Sequence, residues 1–275
     1  QAARLRAKVE ERLAKNPQDS WALARQCELL LQDGKQLEAL ATLRKCQELD
    51  PTDIATRNLL IDTILDLLRK DFSKHRNLVQ EAEQLAKNPA EQETLMQLLA
   101  TGLQNSGDLE GAFKTYMKLW ALDLESNVTT QSDNTLEPVA ENLQVRRDRW
   151  IQARILRLLN EASAEQRTEM EKTIQVHYNE AVASGKTQPL RNFIAFFGSH
   201  SLAEQAQLEL ASQLIHADQI IDRELLEAEL YLVRLKRSSE QTVVAGATAR
   251  LARLMTIARR YEEAVPYYRE LAGQW

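Results

Sequence analysis

The sequence predicts an all-α chain built as an array of helix hairpins, and three observations predict it. Prolines recur at near-equal intervals in the first third, at Pro17, Pro51 and Pro89, which stand 34 and 38 residues apart. Two of them share a neighbourhood, Leu13-Ala14-Lys15-Asn16-Pro17 and Leu85-Ala86-Lys87-Asn88-Pro89. A period near 34 residues, with helical pattern between the marks, belongs to stacked repeat architectures. Finally, only 8 Gly and 6 Pro interrupt 275 residues, and the strong helix formers Ala, Leu, Glu, Gln and Arg dominate the rest. The longest β-branched hint, Thr242-Val243-Val244, is too short to argue for a strand-rich domain.

Residues 20–53 give the clearest unit. Leu23, Cys27 and Leu30 recur at spacings of four and three on one face of a first helix. Asp33-Gly34 ends it, with Gly suited to a left-handed C-terminal position. Leu37, Ala39, Leu40, Leu43, Cys46 and Leu49 form the face of a second helix, and Asp50-Pro51 closes the unit. Residues 93–124 repeat the scheme through Met96, Leu99, Ala100, Leu103, Gly107, Ala112, Tyr116 and Leu119. Residues 245–272 repeat it through Leu251, Ala252, Met255, Tyr261, Ala264, Tyr268 and Leu271, with Arg259 where the turn Gly stands elsewhere. Pro266 is expected in the first turn of that last helix, where proline is tolerated. Residues 54–89 and 203–238 read as helix pairs with insertions, around Asp71-Phe72-Ser73 and His216-Ala217-Asp218.

Apolar, small, turn Gly, Ala, large apolar and Pro, in that order over about 34 residues, is the pattern of the tetratricopeptide repeat. The chain resembles that family through Leu23, Cys27, Leu30, Gly34, Ala39, Leu43, Cys46 and Pro51, and again through the two later units. The resemblance implies a right-handed superhelical solenoid that binds a protein or peptide on a concave face lined by the first helix of each unit. The implied concave positions are Ala24, Glu28 and Leu31, then Gln97, Thr101 and Gln104, with Arg253 the one cation. They lack the positive clamp with which some family members hold a terminal carboxylate.

The middle of the chain breaks the period. Residues 125–138 form one polar stretch, expected to be a loop or linker. Helices are expected at 139–161 and 163–184, the second opened by the capping box Ser163 to Gln166 and ended by Gly185. A short apolar helix with Leu190, Phe193, Ile194, Phe196 and Phe197 follows, and its aromatic residues are expected in the core. The expected organisation is repeats over 1–124, a linker over 125–138, an irregular helical segment over 139–200 and repeats over 201–275. Arg146, Arg147, Arg149, Arg154 and Arg157, interleaved with Trp150, read either as a basic patch for an acidic partner or nucleic acid, or as a solvated helix face.

Composition bounds the function. The net charge is −5, from 40 acidic and 35 basic residues, which offers no global field for nucleic acid, so that partner is disfavoured. No stretch of 18 apolar residues exists, so no helix inserts into a membrane. Gln1 to Lys15 reads as a mixed-charge amphipathic helix, not a signal peptide. Starting without Met and ending at Trp275 just after a helix, the chain is expected to be a piece of a larger protein. Cys27 and Cys46 fit no metal spacing and are expected as small buried residues. His75, His177, His200 and His216 lack partners at zinc spacing, and neither a Gly-rich phosphate loop nor Gly-x-Ser-x-Gly occurs. The expectation is a non-enzymatic scaffold without metal or cofactor, bound to another protein or to neighbouring domains. Val145 to Ile151 and Phe196-Phe197-Gly198 are also similar to helical regions preceding β-propeller repeats in multidomain bacterial proteins. That resemblance implies a spacer role and leans toward the cell envelope or periplasm over the cytoplasm.

Overall fold

Acidic and amide side chains open the helices that the prolines announce. The computed structural model describes residues 2–129, 136–140, 142–216 and 221–273. After α1 (Ala2–Lys15), Asp19 caps α2 (Ser20–Gln32) by accepting the Ala22 N–H at 2.9 Å. The next helix is α3 (Gln36–Leu49), and Asp53 caps α4 (Ile54–Lys70) through the Ala55 N–H at 3.0 Å. Asn88 and Glu91 form a capping box at the start of α7 (Pro89–Asn105), so Pro89 opens a helix at its first position and does not close a unit. Each cap satisfies N–H groups that have no intrahelical acceptor.

Between α4 and α7 the expected longer turn is a run of short pieces: α5 (Phe72–His75), a 3-10 turn at Arg76–Leu78, and α6 (Val79–Leu85). Phe72 explains the insertion. Its ring lies on Gly102 of α7, where an added Cβ would stand 2.1 Å from Phe72 Cγ. After α8 (Leu109–Thr129) come a β-hairpin and α9 (Arg147–Glu161). The remaining helices are α10 (Ala164–Ala183), α11 (Thr187–Phe197), α12 (Ser201–Ile215), α13 (Asp222–Leu235), α14 (Gln241–Ile257) and α15 (Tyr261–Gly273). The chain is all-α apart from that hairpin among the described residues.

Left-handed residues turn the hairpins. Gly34 (φ 72°) and Gly107 (φ 84°) each close a helix by two bonds, Gly34 N–H to Leu31 and Lys35 N–H to Leu30, then Gly107 N–H to Gln104 and Asp108 N–H to Leu103. Arg259 makes the same turn with φ 59°, its N–H to Thr256 and that of Arg260 to Met255. The missing glycine therefore changes the residue and not the turn, at the steric cost of a Cβ in the left-handed region. Gly185 (φ 64°) ends α10, whose capping box at Ser163 and Gln166 is formed in both directions.

The middle segment differs from expectation. Residues 125–129 continue α8, and residues 130–135 lie outside the described residues, as do Ala217 and Asp218 of the other expected insertion. Leu136–Ala140 (β1) and Leu143–Arg146 (β2) pair antiparallel, Leu136 opposite Arg146 and Glu137 opposite Val145, so α9 starts at Arg147 and not at 139. Alternation in Leu143-Gln144-Val145-Arg146 suits a strand, and Pro138 disfavours a helix there. Pro266 is also displaced: α15 starts at Tyr261, which puts the proline sixth in the helix and removes the N–H that would bond the Glu262 carbonyl.

Two compact units divide the chain, Gln1–Leu119 and Trp120–Trp275. The division falls inside α8, not in the polar stretch, and residues 139–200 and 201–275 belong to one unit. The core of the first unit gathers Cys27, Leu40, Leu43, Leu60, Ile61, Ile64, Leu68 and Ala82. In the second, Phe193, Phe196 and Phe197 are buried as expected, and Trp120 packs edge-to-face on Phe197 and His177 and tilted on Phe196, with ring centroids 5.0–5.5 Å apart. Tyr261 and Tyr268 are 60% and 49% exposed, because α15 turns Ala264 toward the core and carries its tyrosines outward.

Polar contacts tie successive hairpins at nearly one interval. Arg57 bonds Glu91 and Lys236 bonds Glu270 across 34 residues; Arg44 bonds Glu81 across 37 and Arg191 bonds Glu227 across 36. Helices that follow one another in sequence pack on one another, as in α2 with α3, α3 with α4, and α12 through α15.

A substitution pair tests the turns. Gly34→Ala adds a Cβ that meets nothing within 4 Å, so its cost is conformational, about 1–2 kcal/mol. Arg259→Gly relieves that strain and raises stability by about 0.5–1 kcal/mol after the added chain entropy of glycine. Urea unfolding midpoints of the two variants should move in opposite directions.

Candidate functional site

The residues expected along a concave face do not form one set. Ala24 and Glu28 are exposed on α2, Leu31 is half-buried, and Glu28 is paired with Arg25 at 2.5 Å. Gln97 and Thr101 are half-buried on α7. Gln104 is buried, and its Oε1 accepts the Tyr116 hydroxyl at 3.4 Å. Gln104 therefore belongs to the α7–α8 interior, because Tyr116 stands twelve residues on and reaches back to it. Arg253 is exposed on α14 in the second unit.

The basic helix is not a free cationic patch. Arg146 lies on β2 and bonds Asp148 at 2.8 Å. Arg147 is buried, and its Nε donates to Glu137 on β1 at 2.8 Å. Arg149 bonds Gln152, Arg154 sits 5.1 Å from the Trp150 ring, and Arg157 bonds Glu161 at 2.7 Å. Carboxylates thus neutralise Arg146, Arg147 and Arg157, while Arg149 and Arg154 keep their charge against a neutral amide and an indole ring.

A different face stands out on α13. Ala228, Leu232 and Leu235 are buried against the neighbouring helices. On the other side Leu226, Leu230 and Val233, at spacings of four and three, are 57%, 65% and 44% exposed. Such a helix is apolar on two faces, while one packed at a surface needs only one. An open groove of about 680 Å³ runs beside the stripe, lined by Ile221, Leu226, Leu230 and Gln188. Arg191 of α11 crosses to Glu227 at 2.8 Å. Burial raises the Tyr231 hydroxyl pKa, with Glu227 adding to it, while Arg191, Arg149 and Arg234 act in the opposite direction. Arg149 is thus brought near arginines of α11 and α13, a grouping that sequence distance hides. The signal for the stripe was present as surplus leucines, once Leu225, Ala228, Leu232 and Leu235 had met the needs of the core.

Among the described residues no group of three His, Cys, Asp or Glu side chains is placed to hold a metal ion, and no helix is long and apolar enough to cross a membrane. Cys27 and Cys46 are free thiols; the first is buried as expected, while the second is only half-buried. Burial and the neighbouring Cys46 push the Cys27 thiol up to about 12, and burial raises Cys46 as well. Neither is set up as a nucleophile, which requires a thiolate. The chain matches no family model and no curated protein.

Two outcomes check these assignments. Glu137→Ala removes the buried carboxylate to which Arg147 Nε donates and should lower the urea unfolding midpoint, and Glu137→Leu with Arg147→Met should recover most of that loss. A thiol whose folded pKa lies above its unfolded value of about 8.5 favours unfolding as pH rises from about 8.5 toward 12. The urea midpoint should therefore fall with pH above 8.5, and fall less steeply in Cys27→Ala.

Proposed function

We propose that the chain is a non-catalytic protein-interaction scaffold of tetratricopeptide-repeat type, its hairpins stacked as a right-handed solenoid. Hairpins turned by Gly34, Gly107 and Arg259, and polar contacts recurring at 34–37 residues, support the stacked arrangement. The observation that carries the binding reading is the exposed stripe of Leu226, Leu230 and Val233 on α13. Contiguous exposed apolar surface mostly marks interaction sites. A helix of another protein, or of a neighbouring domain, would lay apolar residues of matching spacing against it. The concave positions Ala24, Glu28, Leu31, Gln97, Thr101 and Arg253 are secondary to that face, since they combine one paired carboxylate and one lone cation with neutral groups. Nucleic acid binding through the segment from Arg146 to Arg157 has little support, because Arg146, Arg147 and Arg157 are paired with carboxylates within the fold.

The test is a pair of surface variants. Leu226→Glu with Leu230→Glu should leave the thermal unfolding midpoint within a few degrees, since both side chains are exposed. It should also abolish co-purification of partners seen with the unaltered protein by affinity capture and mass spectrometry. Capture that survives this variant would move the interaction to another face.

A further inference from the structure

A second pocket lies in the first unit, where the α2–α3 turn meets the α4–α5 turn. Its volume is about 500 Å³, and it is lined by Lys35, Leu37, Lys70, Lys74 and His75, together with the carboxylates Glu38 and Asp71. Helix α3 begins at its edge. Lys35, at the N-cap, supplies no side-chain acceptor, so the N–H groups of Gln36, Leu37 and Glu38 lack the intrahelical partners that later positions have. Fourteen residues of aligned peptide dipoles place partial positive charge at that end.

A buried imidazole adds an independent observation. His75 is 8% exposed and lines the pocket, and its ring has no hydrogen-bond or ion-pair partner among the described residues. Its nitrogens are not among the fully buried polar atoms without a partner, so the ring reaches the solvent of the pocket, and a neutral or charged imidazole always has at least one N–H to donate there.

The charges divide in favour of an anion. Asp71 is occupied as the cap of α5, accepting the Lys74 N–H at 3.0 Å. Glu38 is paired with Lys35 at 3.6 Å. Lys70 and Lys74 have no carboxylate partner among the described residues. Lys70 also offsets the negative end of α4, in whose last turn it lies.

We propose that this pocket binds a phosphate monoester, with its oxygens held by the α3 N-terminus, Lys70, Lys74 and His75. Leu37, 52% exposed, and Leu67, buried at the pocket wall, leave an apolar patch for the ester group. The ester is either a free metabolite or a phosphorylated side chain; the recognition chemistry is the same. A non-catalytic binding role suffices, and the site does not depend on the scaffold reading.

Isothermal titration calorimetry at constant ionic strength tests it, with inorganic phosphate, phenyl phosphate and an N-acetyl phosphoserine amide as probes and acetate as control. The expected result is one saturable site for the phosphates, with a dissociation constant of about 1 mM or tighter, and no saturation by acetate. Preference for the phosphoserine amide identifies a protein source, and preference for phenyl phosphate an aryl ester, which N-acetyl phosphotyrosine amide then assigns to a protein if it binds tighter or to a small molecule if it binds more weakly. Lys70→Ala with Lys74→Ala should weaken binding by about tenfold, and His75→Phe, which keeps a buried ring, by several-fold. Lys45→Ala, an exposed cation elsewhere on α3, should change nothing. Absence of saturable heat, acetate binding equal to phosphate, or unchanged affinity in the double lysine variant overturns the proposal.

Discussion

Each hairpin depends on two helix backbones approaching at small side chains. Cys27 and Ala39, Ala100 and Ala112, and Ala252 and Ala264 stand twelve residues apart in their pairs, and all are buried at 3% exposure or less. Small groups at the contact bring the axes toward the short end of the usual packing range. A tight turn then suffices to reverse the chain, and the left-handed residues at 34, 107 and 259 supply it. The same spacing lets a side chain of the second helix reach back to the first. Tyr116 reaches Gln104, and the Tyr268 hydroxyl lies 3.3 Å from Thr256 Oγ1.

A hairpin packed this way still has an apolar side to cover, and the next one covers it. The ion pairs between neighbours sit at the rim of those contacts. Arg57 and Glu91 are the best shielded, at 18% and 13% side-chain exposure, while Arg44 is 43% exposed. Pairs as open to water as Arg44 with Glu81 contribute little to stability. Their regular interval instead fixes which helix face meets which, while apolar burial supplies most of the free energy.

Much of the fold was legible because caps and turns are local. Ser163 and Gln166, Gly34 and Gly185 announce helix ends within a few residues of chain. Arg259 was not legible as a left-handed residue, since only the surrounding hairpin imposes that conformation on a side chain that disfavours it. The β-hairpin at 136–146 was hidden because its strands are short and Pro138 interrupts the first. Sites were less legible than folds for a related reason. A helical wheel places Gln104 on a face but does not reveal that Tyr116 arrives there. It counts five arginines between 146 and 157 but does not count Glu137, Asp148 and Glu161 as their partners.

Charge left unpaired is more informative than total charge. Helix α13 carries Asp222, Glu224, Glu227 and Glu229 beside Arg223 and Arg234, so pairing within the helix was available. Three of its four carboxylates are engaged elsewhere: Glu224 and Glu227 hold Arg191 of α11, and Glu229 holds Arg260 at the start of α15. Arg223 and Arg234 are left exposed, with no ion pair among the described residues, on either side of Leu226 and Leu230. An acidic chain thus keeps exposed arginines at both ends of an apolar stripe, because three of the four acids of α13 bind flanking residues in place. A partner segment with apolar residues at helical spacing and acidic flanks would answer both features at once.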